Sequence, residues 1–148
     1  MSALTNCLLI EADAIANTAK RLDENEVEKA FMILKNCIKN RGKLITSGVG
    51  RSGIVARKIA ATLASTGTPA SFVHATEASH GDLGMITHDD FCLLISNSGE
   101  TSELNDILAH AKRFSILTAV ISSFENSTLM NAADFKLLLT RAPEACTI

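Results

Sequence analysis

Five short runs rich in branched residues, at 44–49, 70–73, 91–95, 117–122 and 135–139, are each too short for a helix and each bounded by turn residues. They are predicted strands. Segments 54–65 and 102–114, between the first and second runs and between the third and fourth, carry helical periodicity. Strands alternating with helices argue for parallel βαβ units. The expected fold is α/β, a doubly wound five-stranded parallel sheet between helices. Ahead of it Leu4, Leu8, Ala12, Ile15, Ala19 and Leu22 fall on one stripe of a first helix. Val27, Ala30, Phe31, Leu34 and Ile38 form the stripe of a second, with Asn25 and Glu28 spaced as a capping box and Gly42 placed to end it. Two N-terminal helices therefore precede the first strand. Phe31, Phe72, Phe91 and Phe135 are expected in the core, and His88 and His110 at the surface.

With 148 residues, 47 % of them apolar, the chain can bury the core of one domain without staples. Fourteen Lys and Arg against sixteen Asp and Glu leave a net charge of −2 and no basic excess for a nucleic-acid backbone. With no Trp, no Tyr and scattered Phe there is no stacking platform, so any sugar ligand would have to be held by hydrogen bonds and charge. The N-terminus lacks a basic n-region, and Glu11 and Asp13 interrupt the first apolar run, so neither export nor membrane insertion is expected. Cys7, Cys37, Cys92 and Cys146 are far apart, which suits reduced, mostly buried thiols in a cytoplasm.

Two loops carry the chemistry. Gly48, Val49, Gly50, Arg51, Ser52 and Gly53 follow the first strand and open a helix, where glycines permit close backbone approach and free amides face an anion. A nicotinamide site would need an acidic residue ending the second strand, but that strand ends Phe72, Val73, His74, and Glu77 lies inside the next loop. Close helix packing is the competing explanation for the glycines. The second loop runs Ser96, Asn97, Ser98, Gly99, Glu100, Thr101, Ser102, Glu103, with five hydroxyl or amide side chains around a glycine. Such a loop at a helix start makes a phosphate cradle without Lys or metal. Ordinary capping accounts for one or two of these residues, not five. The connection 73–91, with two Gly and three of the four His, is long for a compact domain, which usually marks function.

With these loops, the run from Ala64 through Gly67, Thr68 and His74 to Glu77, His80, Asp82 and Met85 resembles the sugar isomerase (SIS) domain of the arabinose-5-phosphate isomerase family. The similarity covers residue 43 to about 146. It implies a flavodoxin-like three-layer sandwich over residues 1–148 and a homodimer or homotetramer; the CBS modules the family often carries are not expected in this chain. Its activity would be interconversion of D-ribulose 5-phosphate and D-arabinose 5-phosphate through an enediol, feeding 3-deoxy-D-manno-octulosonate and lipopolysaccharide or capsule synthesis. No cofactor is required by that chemistry.

Such isomerisation needs a base, a donor to polarise the carbonyl and an anchor for the phosphate. Ser96, Asn97, Ser98, Gly99 and Thr101, with Ser52 and the amides of Gly50 and Gly53, are the expected anchor. Gly67, Thr68 and His80 are carried over by the resemblance as substrate contacts, and His74 as a metal ligand, with zinc the candidate. Glu103 and Glu144 match two acidic positions of the family, and either could be the base; helix-end stabilisation and a solvated loop are their competing roles. Arg51 stands where the family carries Lys, keeping the charge but unable to donate and recover a proton. Past Cys146 the family continues into a Thr-rich stretch and a His-Pro-Gly-Gly motif, so the domain is expected to be incomplete at its C-terminal end. A non-catalytic sugar-phosphate sensor is the alternative function.

Overall fold

The computed structural model describes residues 2–145. Helix α1 is Ala3–Arg21, started by Ser2, whose hydroxyl accepts from Thr5 N–H. Helix α2, Glu24–Lys39, is capped by Asp23, whose carboxylate accepts from the N–H groups of Asn25 and Glu26. The Asn25–Glu28 box is therefore not the cap. Asp two positions earlier bonds two orphan amides and puts Glu24 and Glu26 at the positive helix end. The helix stops at Arg41, which takes the left-handed conformation (φ 68°) while Arg41 and Gly42 N–H donate to Ile38 and Cys37 carbonyls. Gly42 is there for a different reason than expected: a Cβ would stand 1.9 Å from the carbonyl oxygen of Asp89.

Strands β1 (Leu44–Gly48), β2 (Ala70–Phe72), β3 (Phe91–Ile95), β4 (Thr118–Ser122) and β5 (Phe135–Leu138) form one parallel sheet in the order β2-β1-β3-β4-β5. The connections are α3 (Gly50–Ser65), α4 (Ala75–Ser79) with a 3-10 turn (Asp82–Met85), α5 (Leu104–Arg113) and α6 (Thr128–Ala132). The doubly wound expectation holds, and the strands lie within a residue or so of the expected runs. Helix α3 begins four residues earlier than its apolar period. The 73–91 connection is partly helical, and α6, one short turn of helix, has no period long enough to read.

One face of the sheet packs Ile45, Cys92, Leu94 and Val120 against α4, α5 and α6 through Ala75, Ala78, Leu104, Ile107 and Leu129. The other packs Leu44, Phe91 and Ala119 against α2 and α3 through Ala30, Cys37, Ile33, Leu34 and Leu63. Phe31 is not core: it is 61 % exposed, because the face α2 turns to the sheet is that of Ala30, Ile33 and Cys37. Phe91 is buried, and Phe72 and Phe135 are half-buried. His88 is exposed, whereas His110 is half-buried against Phe114. Helix α1 buries no residue, and Leu4 and Ile15 stay more than 70 % exposed. At the amino edge of the sheet the buried Asp90 carboxylate accepts from Lys43 and Thr87 N–H and faces Lys43 Nζ at 3.4 Å, tying the starts of β1 and β3 together.

Cys37 and Cys92 are buried and Cys7 is half-buried, all three as free thiols; Cys146 lies outside the described residues. Burial pushes the Cys92 thiol up to about 12. Among the described residues no helix is long and apolar enough to cross a membrane.

Candidate functional site

The strand order reverses between β1 and β3, so the connections leaving their carboxyl ends part to opposite faces and open a crevice where doubly wound sheets take ligands. Both loops singled out in the sequence leave from this edge. After β1, α3 is drawn close to the strand: a Cβ on Gly53 would stand 2.6 Å from the Gly48 carbonyl oxygen, and one on Gly48 would stand 2.9 Å from the backbone of Ser52. Close packing explains these two glycines. The Gly53 amide is not free for an anion, because it is buried and donates to the Val49 carbonyl at 3.3 Å. Gly50 and Arg51 are exposed and Ser52 half-buried at the helix start.

The loop after β3 is held by its own side chains. Ser96 Oγ accepts from Gly99 N–H at 3.0 Å and lies 2.7 Å from Thr101 Oγ1, while Ser98 Oγ accepts from Glu100 N–H. Ser98 thereby keeps its O–H to donate to a ligand. Asn97 faces the β4–α6 connection, its carbonyl accepting from Ser122 Oγ and Ser123 N–H and its Oδ1 from Ser123 Oγ. Glu100 turns the same way, its carboxylate accepting from Thr128 N–H at 2.8 Å and capping α6. Hydrogen bonds from Thr128 hold the Glu100 carboxyl below its usual range. The β4–α6 connection, with Ser122, Ser123 and Ser127, is a part of this edge that sequence reasoning missed. The Ser122–Ser123 pair at a strand end was the available signal.

Glu103 and Glu144 have different surroundings. Glu103 sits at the start of α5, where its own backbone N–H and the Ser102 hydroxyl, 2.9 Å away, hold its carboxyl below the usual range. It makes no side-chain capping bond to the N–H groups of α5. Glu144 reaches across the edge to Arg51, Oε1 to Nη2 3.2 Å, joining residues 93 positions apart in one exposed ion pair. Arg141 lies over the ring of Phe124 at 4.5 Å beside a cleft of about 460 Å³ that Ser98, Ser123 and Ser127 also line.

Gly67 and Thr68 are not at this edge. They follow the end of α3, at the amino ends of the strands, and close that helix: Gly67 (φ 89°) donates to Ala64 and Thr68 to Leu63. A substrate held at the carboxyl ends is out of their reach within one chain. His80 is exposed at the end of α4, next to Ser79, whose hydroxyl donates to Asp106 on α5. His74 caps α4, its Nδ1 accepting from Thr76 N–H at 3.3 Å. Among the described residues no three His, Cys, Asp or Glu side chains gather as a metal site. Zinc takes three or four protein ligands, so the residues around His74 do not fit it.

A parallel sheet of order 2-1-3-4-5 with a hydroxyl-lined loop at its switch point is that of a doubly wound α/β domain, a class that takes its ligands at this edge. Residues 37–148 match the family model of the SIS domain, and the chain belongs to that family. Over 146 residues it is 43 % identical to arabinose 5-phosphate isomerase KpsF of Escherichia coli O6:H1, covering 99 % of this chain and 44 % of that protein. Over 141 residues it is 45 % identical to arabinose 5-phosphate isomerase KdsD of Yersinia pestis, covering 95 % of this chain and 42 % of that one. The chain thus spans less than half the length of these relatives. An E. coli CFT073 protein solved in complex with arabinose 5-phosphate superposes with a TM-score of 0.83 at 40 % identity, covering 97 % of this chain and 74 % of the other.

Proposed function

We propose that this chain binds a sugar phosphate at the carboxyl edge of its sheet and interconverts D-ribulose 5-phosphate and D-arabinose 5-phosphate. The observation that carries the reading is the Arg51–Glu144 pair, which sets a carboxylate and a fixed cation over the edge that also bears the Ser96–Thr101 loop. The activities named for the KpsF and KdsD relatives support it. Ser52, Ser98 and Thr101 donate to the phosphate. Glu144 is the base: it takes the C2 proton of the aldose and returns it to C1, while the O2 proton passes to O1. Arg51 stabilises the negative oxygen of the enediolate and, as a guanidinium, does so without giving up a proton. Glu103, engaged by its own helix end, stabilises the loop. His80 is a substrate contact in this reading, and no metal or other cofactor takes part. The product would feed 3-deoxy-D-manno-octulosonate synthesis for lipopolysaccharide or capsule, in the cytoplasm.

Incubating the purified chain with arabinose 5-phosphate in deuterium oxide tests the reaction: deuterium should enter at the carbon next to the carbonyl as ribulose 5-phosphate accumulates. Arg51, in place of the family's Lys, favours a second reading, a sensor that binds without turnover. Tight binding with no deuterium incorporation would select it. The anchor is tested apart from the chemistry. Replacing Ser98 and Thr101 together by Ala should weaken sugar-phosphate binding by about 1–3 kcal/mol, the scale for hydrogen bonds to a charged group. Calorimetric titration with unchanged affinity would refute the anchor.

A homodimer or homotetramer is part of the same proposal. Leu4, Leu8 and Ile15 on α1, Phe31 and Met32 on α2, and Ile54 and Val55 on α3 are large exposed apolar side chains, more than a monomer scatters at random. Closed symmetric association would cover them. Sedimentation at micromolar concentration should give a dimer or tetramer mass, and a monomer mass would count against it.

A further inference from the structure

Glu144 lies on a stretch without regular structure, 139–145, that continues from β5 across the carboxyl edge of the sheet. Beyond Leu139, whose N–H donates to the Ser122 carbonyl at 2.8 Å, four contacts run along it. Thr140 N–H donates to Thr18 Oγ1 at 3.3 Å, the Arg141 guanidinium covers the Phe124 ring, Glu144 meets Arg51, and the Ala145 carbonyl accepts from Cys7 Sγ at 2.8 Å. Two of the four come from α1. Along a helix, Thr18 and Cys7 are separated by roughly 16 Å at 1.5 Å per residue. Five extended steps from Thr140 to Ala145 span roughly 16 Å as well. The two therefore lie side by side in opposite directions, fixed at both ends, closely enough to bury Thr140 Oγ1.

Among the described residues helix α1 has no other evident task. It buries no residue, and among the described residues both hydrogen bonds it makes beyond its own turns and cap go to this stretch. Arg51 and Glu144 are both largely exposed, and an exposed pair of long side chains does not hold a loop in place by itself. Something firmer must fix the backbone that carries the carboxylate. We propose that α1 is the positioning element for Glu144, with Thr18 and Cys7 as positioning residues that clamp the two ends of its segment and hold the carboxylate beside Arg51 at the carboxyl edge of the sheet. The inference rests on the reading of Glu144 as the base.

The test combines amide hydrogen exchange with kinetics on the intact chain, comparing wild type with Thr18→Val and Cys7→Ala. Exchange at Thr140, whose N–H is held by Thr18 Oγ1, should rise about tenfold in Thr18→Val, while β1 and β3 amides keep their protection. In turnover of arabinose 5-phosphate, kcat should fall about tenfold with KM within about twofold, the mark of a misplaced reacting group. Cys7→Ser should restore most of the loss, since its hydroxyl donates to the same carbonyl. In a Glu144→Gln background neither substitution should lower kcat further. Unchanged exchange overturns the clamp whether or not the chain turns over sugar. Loss of kcat that adds fully to that of Glu144→Gln overturns the positioning role. A wild-type chain that shows no turnover but the expected exchange changes would sink the isomerase reading alone and leave the clamp standing.

Discussion

Glu144→Gln is expected to lower arabinose 5-phosphate turnover by about 10²–10⁴ while the sugar-phosphate dissociation constant moves by less than about threefold. Glutamine keeps the size of the side chain and an oxygen for Arg51, but its amide cannot accept and return a proton. Stability should barely change, because the pair is exposed, with 89 % and 65 % of the two side chains open to solvent. The paired guanidinium also makes Arg51→Lys informative. If Arg51 acts by charge alone, Lys should retain or raise the rate, since it supplies the same charge. Steady-state kinetics alongside calorimetry separate these effects. Turnover within tenfold of wild type for Glu144→Gln would move the base elsewhere, and Glu103→Gln would be the next variant to measure.

The sheet was legible because its signals are local. Branched runs such as 91–95 are buried on both faces in a parallel sheet, so each strand announces itself without reference to its neighbours. The hydroxyl loop was legible for the same reason: six consecutive residues supply its polar groups, and Ser96, Ser98, Gly99, Glu100 and Thr101 make hydrogen bonds among themselves. What failed was whatever depended on relative placement. Phe31 satisfies a helical stripe, but which stripe of α2 meets the sheet is decided by packing against Leu44 and Phe91. Gly67 and Thr68 stand within a motif-bearing run, yet the chain turns there at the opposite edge of the sheet, and their pattern serves to end a helix. The Arg51–Glu144 pair, the Glu100 cap on α6 and the Arg141–Phe124 stack join residues 17 to 93 positions apart, and no periodicity encodes such meetings.

Gly99→Ala is expected to be the most damaging single change to the fold of the site. Gly99 has φ 67°, and placing an L side chain in that region costs about 1–2 kcal/mol. The space behind it is already filled: a Cβ would come within 1.9 Å of Ser127 Oγ and 2.4 Å of Ser127 Cβ. Ser127 cannot swing aside freely. It is buried at the start of α6, and that turn is tied to the loop on both sides by Leu129 N–H donating to the Gly99 carbonyl and Thr128 N–H donating to Glu100. Relieving the overlap by moving the backbone adds about 1–3 kcal/mol. The sum, roughly 3 kcal/mol, should lower the melting temperature by about 10 °C. Any shift of Gly99 also moves its N–H off Ser96 Oγ and so disturbs the hydroxyls proposed to hold the phosphate, and sugar-phosphate binding is then expected to fall by more than stability does. Pairing the change with Ser127→Gly removes the steric part and leaves the backbone part. The double variant should therefore recover about half the lost stability, measured by thermal unfolding, with little recovery of sugar-phosphate affinity. A Gly99→Ala protein melting within about 2 °C of wild type would mean that the loop relaxes at little cost, and the cradle would then have to be organised by its ligand rather than in advance of it.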